Sequence, residues 1–316
     1  MSRRLSTALS ATVLASALVL SACGEEAPAK PSAAISAVTV NGSDPKAAPT
    51  VTVKSPLKVA KTESDVVTDG AGAVVGKDDL VSIQAVIVNG TDGKVAHSTW
   101  ETGPVSLNLG AADLFTSFKS QLPGKKVGDR VVITSTPADA FGETGNDSIG
   151  VKKDDPVVFV VDVVSATKPL AEATGKAVAP KKGLPTVTMN EGKPATITIP
   201  KGVKAPTKTV VVPLIEGTGP EVQKGQTVRV AYTGVLWKDG SVFDSSANRP
   251  EQPYFEFPIA QGQVIKGWDN GLVGKKVGSR VLLVIPPADG YGTAGSPPKI
   301  SGTDTLVFVV DILAAY

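Results

Sequence analysis

Hydrophobic and polar residues alternate with a period of two along much of the second half of the chain. In the stretch TVRVAYTG, Val228, Val230 and Tyr232 fall on one face of an extended segment, and the residues between them fall on the other. This alternation is typical of a half-buried β-strand. The stretches SRVLLVIP and TLVFVVDIL are continuous aliphatic runs, and Lys-Asp-Gly at 238–240 is typical of a hairpin turn. The pattern therefore predicts a mainly antiparallel sheet.

One stretch departs from this period and predicts a helix. In QVIKGWDNGLVG, the apolar residues Val264, Trp268 and Leu272 recur every four positions, and Gly274 follows them. A spacing of four places side chains on one face of an α-helix, and glycine is common just past a helix end. We expect one short amphipathic helix lying across a twisted sheet.

The same landmarks occur twice along the chain. GKKVG stands at 124–128 and again at 274–278, PADAFG recurs as PADGYG, and VFVVDVVSA is followed 149 positions later by VFVVDILAA. Landmarks repeated in a fixed order indicate two copies of one domain. We predict the first copy over 34–166 and the second over 183–316, joined by an Ala/Lys/Pro-rich linker over 167–182.

The first residues have the pattern of an export signal. A pair of arginines precedes an apolar run at 9–20, which is too short for a membrane-spanning helix. The run ends in Leu-Ser-Ala before Cys23, which resembles the cleavage box of bacterial lipoproteins. We predict a lipoprotein signal peptide over 1–23 and a solvated tether over 24–33. Cys23 then carries a lipid that anchors the chain to the extracytoplasmic face of the cell membrane; a plain secretory signal is the alternative.

Composition narrows the possible chemistry. The 316 residues suffice for two domains, and 32 basic residues against 30 acidic ones give a net charge of only +2, which argues against a nucleic-acid partner. His97 is the one histidine and Cys23 the one cysteine, so a Cys/His zinc site and a disulfide framework are excluded. A Ser-His-Asp triad needs His97, and the chain has no Gly-x-Ser-x-Gly elbow. We expect no metal and no cofactor.

The second copy carries the motifs of a known family. From Thr209 to Leu313 it contains YTG, FDSS, VIKGW, GYG and LVFVVDIL in this order. In these motifs and their spacing it resembles the FKBP-type peptidyl-prolyl cis/trans isomerases. The resemblance implies an α+β chain of two tandem FKBP-like domains, each a twisted antiparallel half-barrel sheet wrapped around a short helix. It also implies an aromatic pocket that takes a prolyl ring.

The resemblance also implies a role for particular side chains. The pocket walls would be Tyr232, Phe243, Phe255, Val264, Ile265, Trp268, Tyr291, Phe308 and, from the loop after Tyr291, Ile300. The catalytic groups would be the backbone N–H of Ile265, which holds the substrate carbonyl, the hydroxyl of Tyr291, the carboxylate of Asp244 near the rotating amide, and Trp268 as the floor. Each has a structural alternative, since strand aromatics are often core residues and Asp244 is also placed to bond the two serines that follow it. Lys299, in the same loop, is expected at an exposed hairpin tip.

The first copy keeps the landmarks of the fold and loses most of the pocket. Its counterparts of the pocket residues, in the order of the chain, are Ala85, Ala96, His97 in place of Asp244, Val105, Leu114, Phe115, Phe118, Phe141 and Phe159. The alignment around His97 allows a shift by one residue. We predict that this copy catalyses poorly and binds proline-containing or unfolded chains weakly.

Two functions remain open for the whole chain. One is an isomerase that assists the folding of exported proteins and binds the macrolide inhibitors of the family. The other is a non-catalytic, peptide-holding chaperone or scaffold lipoprotein.

Overall fold

The computed structural model of the chain describes residues 31–316. The predicted signal peptide, Cys23 and most of the tether lie outside this range. Within it, no helix is both long enough and apolar enough to cross a membrane.

The first repeat forms a six-stranded antiparallel sheet. Its strand order is β3-β7-β8-β4-β5, with β6 also paired to β4, and a separate hairpin joins β1 to β2. The elements are α1 Ala33–Ser36, β1 Val38–Asn41, β2 Thr50–Val53, β3 Glu63–Thr68, β4 Leu80–Asn89, β5 Val95–Ser98, β6 Val105–Asn108, α2 Thr116–Gln121, β7 Arg130–Ser135 and β8 Val157–Thr167. One-turn 3-10 helices occupy Thr99–Glu101 and Asp147–Ile149.

The second repeat forms a sheet of the same topology with one additional strand. Its order is β14-β13-β17-β16-β12-β9, with β15 also paired to β13, and the hairpin here joins β10 to β11. The elements are β9 Gly175–Ala177, β10 Thr186–Asn190, β11 Lys193–Thr198, β12 Val210–Gly217, β13 Thr227–Leu236, β14 Val242–Ser245, β15 Phe255–Pro258, α3 Lys266–Leu272, β16 Arg280–Ile285 and β17 Leu306–Ala315. One-turn 3-10 helices occupy Ser246–Asn248, Pro287–Asp289 and Gly292–Ala294.

The two sheets match in register as well as in order. A β-bulge interrupts β4 between Ser82 and Ile83, and the equivalent bulge interrupts β13 between Arg229 and Val230. The helix predicted from the period of four is α3, and Gly274 adopts a left-handed φ of 75° two residues past its end. The fold class and the tandem repeat are therefore confirmed.

Each sheet buries both of its faces, which the period-two pattern did not predict. On one face of the second sheet, Val228 and Val230 pack with the helix residue Leu272. On the other face, Val235 and Val309 pack against the β10–β11 hairpin. The half-buried strand expected at β13 is thus covered on its second side over part of its length, because a hairpin outside the recognisable motifs folds across it.

A buried ion pair joins β16 to β17 in the second domain, and an equivalent pair joins β7 to β8 in the first. The Nε and Nη2 atoms of Arg280 donate to the two carboxylate oxygens of Asp311 at 2.6 and 2.7 Å. Arg130 donates to Asp162 through the same two atoms, at the equivalent position of the strand ladder. The hydrogen bond to Asp311 raises the pKa of the Arg280 guanidinium. Two-point geometry of this kind lets an ion pair offset the loss of hydration on burial.

Part of the predicted linker belongs structurally to the second domain. The N–H of Leu170 donates to the carbonyl of Leu313 at 3.0 Å, and the N–H of Ala173 donates to the Asp311 carboxylate at 3.1 Å. Strand β9 then extends the sheet by pairing with the end of β12. Composition alone suggested a linker here, but backbone hydrogen bonds at a sheet edge require no distinctive side chains.

Candidate active site

A cavity of about 980 Å³ opens between helix α3, the inner face of the second sheet and the loop after β16. All the pocket residues expected from the resemblance line it, namely Tyr232, Phe243, Asp244, Phe255, Val264, Ile265, Trp268, Tyr291, Ile300 and Phe308. Concave, mostly aromatic cavities with a few polar groups are the usual form of ligand sites. The structure therefore brings every predicted site residue of this domain to one place.

Trp268 forms the floor of the cavity. Its side chain is only 4% exposed, and its ring meets Tyr232 and Phe308 edge to face, with both centroid distances at 5.2 Å. The T-shaped contacts align positive ring edges with negative ring faces, which fixes the indole orientation. An apolar, rigid floor of this width suits the flat face of a five-membered ring.

A hydrogen-bonded group of three residues forms the polar side of the cavity. The hydroxyl of Tyr232 donates to Asp244 Oδ2, and the N–H of Ser245 donates to Oδ1 at 2.8 Å. Arg249 lies 3.7 Å from the same carboxylate and 5.7 Å from the Tyr232 ring centroid. Burial, and then the bond to Asp244, raises the pKa of Tyr232 to about 12. The phenol is therefore protonated at neutral pH and holds the carboxylate in place.

Arg249 lines the cavity and was not among the predicted site residues. The recognisable motif ends at FDSS, and an arginine in the loop SSANRPEQPY has no periodicity that separates it from a solvated one. The only signal for Arg249 in the sequence is its distance of five positions from Asp244. At that distance the two side chains can pair if the loop turns back. The structural alternative for Asp244, a hydrogen bond to the two serines that follow it, is only partly correct. Asp244 accepts from the N–H of Ser245, but it is the Ser245 hydroxyl that caps the 3-10 turn, by accepting from the N–H of Ala247.

Ile265 immediately precedes helix α3. Its φ of −60° and ψ of 148° are extended, and its N–H has no acceptor among residues 31–316. The first N–H groups of a helix lack intrahelical partners, and Ile265 lines the cavity. The predicted role for Ile265 needs such a free N–H.

The loop after β16 forms the rim. Tyr291 is 42% exposed, and burial followed by the negative charge of Asp244 raises the pKa of its hydroxyl. Ile300 is buried against the cavity wall, while Lys299 turns back to donate to the Phe243 carbonyl at 2.8 Å. Lys299 lies exposed, as expected for this hairpin tip. Its ammonium group also ties the loop to β14, because it reaches a strand-edge carbonyl.

The equivalent region of the first domain is filled by its own side chains. The strand register pairs Ile87 with His97 as it pairs Gly234 with Asp244, so His97 does occupy the position of the carboxylate. Phe115 and Phe141 meet at 4.9 Å between ring centroids, and Phe118 and Phe159 meet at 4.8 Å. In the second domain Ile265 and Tyr291 stand where Phe115 and Phe141 touch. The first domain thus keeps an apolar core where the second keeps an open pocket.

Comparison with known proteins agrees with this geometry. The family described as FKBP-type peptidyl-prolyl cis-trans isomerase matches residues 72–164 and 219–313. The peptidyl-prolyl cis-trans isomerase FKBP15-2 of Arabidopsis thaliana is 47% identical over 36% of this chain and 63% of its own length, so less than two thirds of that relative is spanned. The FK506-binding protein of Streptomyces anulatus is 43% identical over 36% of this chain and 90% of its own length.

A solved structure also matches. The crystal structure of AtFKBP13 is 33% identical, with 35% of this chain and 96% of that chain covered at a TM-score of 0.32. Because the family match covers more than half of the chain and falls separately on both repeats, the chain belongs to the FKBP-type peptidyl-prolyl cis-trans isomerase family, with one family domain in each repeat.

Proposed function

We propose that the second domain isomerises Xaa-Pro bonds in exported polypeptides and that the first domain is not catalytic. One observation carries the proposal: a single cavity joins the Trp268 floor, the Tyr232–Asp244–Arg249 group and the free N–H of Ile265. The first domain has none of these side chains at the matching positions.

The reaction needs only preferential binding of a twisted amide. Resonance creates a rotation barrier of ~18–20 kcal/mol, and rotation decouples the carbonyl from nitrogen without breaking a covalent bond. A prolyl ring on Trp268 lies in a site with little water, where a nitrogen that becomes pyramidal is favoured over a planar, resonance-stabilised one. The Ile265 N–H holds the substrate carbonyl, the neutral Tyr291 hydroxyl is a second donor, and the Asp244 carboxylate acts electrostatically near the rotating amide.

The substrates are proline-containing chains that have not yet folded. Uncatalysed prolyl isomerisation takes tens of seconds or more, so it delays folding after export. The predicted signal peptide and lipid on Cys23 would place the domain on the extracytoplasmic face of the membrane, where such chains emerge. The same cavity is proposed to bind FK506-type macrolides, and no nucleic acid is expected as a partner.

The test uses two matched substitutions in the full chain. Trp268→Leu and Phe118→Leu remove the floor residue from the second and the first domain respectively. We expect Trp268→Leu to lower kcat/KM on a short prolyl peptide by at least about tenfold, from the loss of ~1.4 kcal/mol or more of transition-state binding. We expect Phe118→Leu to leave it unchanged. FK506 should inhibit the wild type. An equal loss in both variants would contradict the assignment of catalysis to the second domain.

A second candidate is a chain that only holds peptides. The absence of the carboxylate and of both tyrosine hydroxyls at the matching positions of the first domain favours it for that half of the molecule. If the wild type turns over no prolyl peptide but still suppresses aggregation of an unfolded proline-rich protein, the holding function replaces the catalytic one.

A further inference from the structure

A second cleft, of about 520 Å³, lies on the opposite face of the sheet from the aromatic cavity. Ala231 of β13 and Val309 and Leu313 of β17 form its floor. One wall is the β10–β11 hairpin and the other is the loop 246–254. Leu170 and Ala171 complete the lining, so the cleft is enclosed by the hairpin, the loop and this segment above a strip of small and apolar side chains of the sheet.

Arg229 lies in this cleft with an unused donor. The residue is 6% exposed, its guanidinium stacks 4.1 Å above the Tyr254 ring, and its Nε donates to Glu256 Oε1 at 2.7 Å. One terminal nitrogen of the guanidinium, Nη2, is buried and has no acceptor among residues 31–316. A buried charged donor without a partner is costly, so a ligand that displaces the side chains covering this nitrogen and supplies an acceptor gains that energy on binding.

Asp311, which lines the cleft, and Glu256, the partner of Arg229 beside it, are already engaged. Both oxygens of Asp311 accept from Arg280, and one also accepts from the Ala173 N–H. Glu256 accepts from Arg229, from Tyr316 at 3.0 Å and from Asn108 at 3.0 Å. What remains unpaired at the cleft is positive or apolar. The complementary ligand is a carboxylate flanked by apolar groups.

The first domain supplies an internal comparison. The positions of Arg229 and Ala231 hold Ser82 and Gln84 there, and the partner of Ser82 across the ladder is Ser106, where the second domain has Glu256. The Gln84 side chain, which accepts a hydrogen bond from the Thr99 hydroxyl, is larger than the Ala231 side chain at the same position. The cationic cleft is therefore specific to the domain with the open aromatic cavity.

The loop 246–254 borders both sites. It presents Arg249 to the aromatic cavity, and it presents Pro250, Pro253 and Tyr254 to the cleft. We propose that the cleft holds an acidic side chain, with apolar neighbours, of the same polypeptide whose proline enters the cavity. This proposal rests on the proposed function of the second domain, and the cleft is its accessory substrate site.

Binding is tested on the full chain with two labelled, proline-free peptides. Fluorescence anisotropy compares fluorescein-Phe-Glu-Leu-Glu-Phe with its amide match, fluorescein-Phe-Gln-Leu-Gln-Phe. A hydrogen bond to a charged group is worth ~1.5–3 kcal/mol, so we expect the acidic peptide to bind roughly ten- to a hundredfold more tightly. Arg229→Ser with Glu256→Ser, which recreates the pair of the first domain, should abolish this difference.

A second variant guards against misfolding. Ala231→Gln keeps the ion pair and puts the larger side chain of Gln84 on the floor of the cleft, and it should weaken binding of both peptides. Neither variant changes a residue of the aromatic cavity, so turnover of a short prolyl peptide should stay at the wild-type level. Equal affinity for the two peptides, or unchanged affinity in Ala231→Gln, would refute the proposal that the cleft binds an acidic side chain.

The link to the substrate has its own measurement. When the acidic peptide is joined to a prolyl peptide through a Gly/Ser linker of about ten residues, KM should fall and kcat should stay constant, and Ala231→Gln should remove the effect. An unchanged KM would refute the accessory-site role. If the wild type failed on the short prolyl peptide, the proposed isomerase function would fail while the anisotropy result stood.

Discussion

Gly267 controls how closely helix α3 approaches strand β16. A Cβ added at Gly267 would stand 2.5 Å from Cδ1 of Ile285 and 2.7 Å from its Cγ1 and Cγ2. The equivalent residues of the first domain are Ser117 and Ser135, so a larger helix residue there faces a smaller strand residue. The helix–strand contact is therefore filled in both domains, by a small helix residue and a large strand residue in the second and by two serines in the first.

Substitution by alanine sets two effects against each other. Alanine favours a helix over glycine by ~0.5–1 kcal/mol, whereas overpacking a filled core costs ~1–3 kcal/mol. Ile285 is fully buried, so its side chain cannot swing out into solvent. We therefore expect Gly267→Ala to lower the free energy of unfolding by about 1–2 kcal/mol. Isomerase activity should fall as well, because Ile265 and Trp268 flank the displaced turn.

A double-mutant cycle with Ile285→Ala tests this reasoning. Ile285→Ala alone costs ~2–5 kcal/mol and removes the obstructing atoms. In that background Gly267→Ala should become stabilising by ~0.5–1 kcal/mol, since only helix propensity remains. Urea unfolding followed by tryptophan fluorescence measures each corner of the cycle.

Gly271→Ala is the matched control. Its added Cβ would come closest to the movable end of Leu283, with Cδ2 at 2.9 Å and Val211 Cγ2 farther away at 3.4 Å, so its cost should be smaller than that of Gly267→Ala. If Gly267→Ala were equally destabilising with and without the Ile285 side chain, the contact would not be the cause and the argument would be wrong.

Three further predictions concern charge, pH and localisation. Arg280→Met leaves Asp311, which is 3% exposed, without its partner and should cost ~3–5 kcal/mol in urea unfolding. The pKa of Tyr232, about 12, lies above its ordinary value of 10.0. Its stabilising effect is therefore present below pH 10 and is lost as the pH rises toward 12. Urea midpoints of Tyr232→Phe should change less than those of the wild type across that range. Cys23→Ala should move the protein from the membrane to the soluble fraction of a bacterial host; membrane retention of this variant would refute lipid anchoring there.

Much of the second domain's site was predictable because its motifs are contiguous. FDSS, VIKGW and GYG place Asp244, Trp268 and Tyr291 on short segments whose local structure follows from turn chemistry and periodicity. The substitution of the same positions in the first domain was also visible, and the strand register removed the one-residue ambiguity at His97.

The features that sequence reasoning missed depend on distant contacts. Arg249 reaches Asp244 only because its loop turns back over Tyr232, and Lys299 reaches the Phe243 carbonyl across 56 residues. Strand β9 adds to the sheet through backbone groups that every residue possesses. No local pattern marks such residues, because their neighbours come from other parts of the chain.

The sequence by itself determined the duplication, the fold class and the chemical character of each copy, since these are set by repeated motifs and by which side chains are present. Only the tertiary structure decided what surrounds each side chain. It closed the first domain's site with Phe115 and Phe141, kept the second open above Trp268, and left Arg229 with a buried, unshared donor. Packing and burial are properties of residues brought together from far apart, and they appear only when the chain has folded.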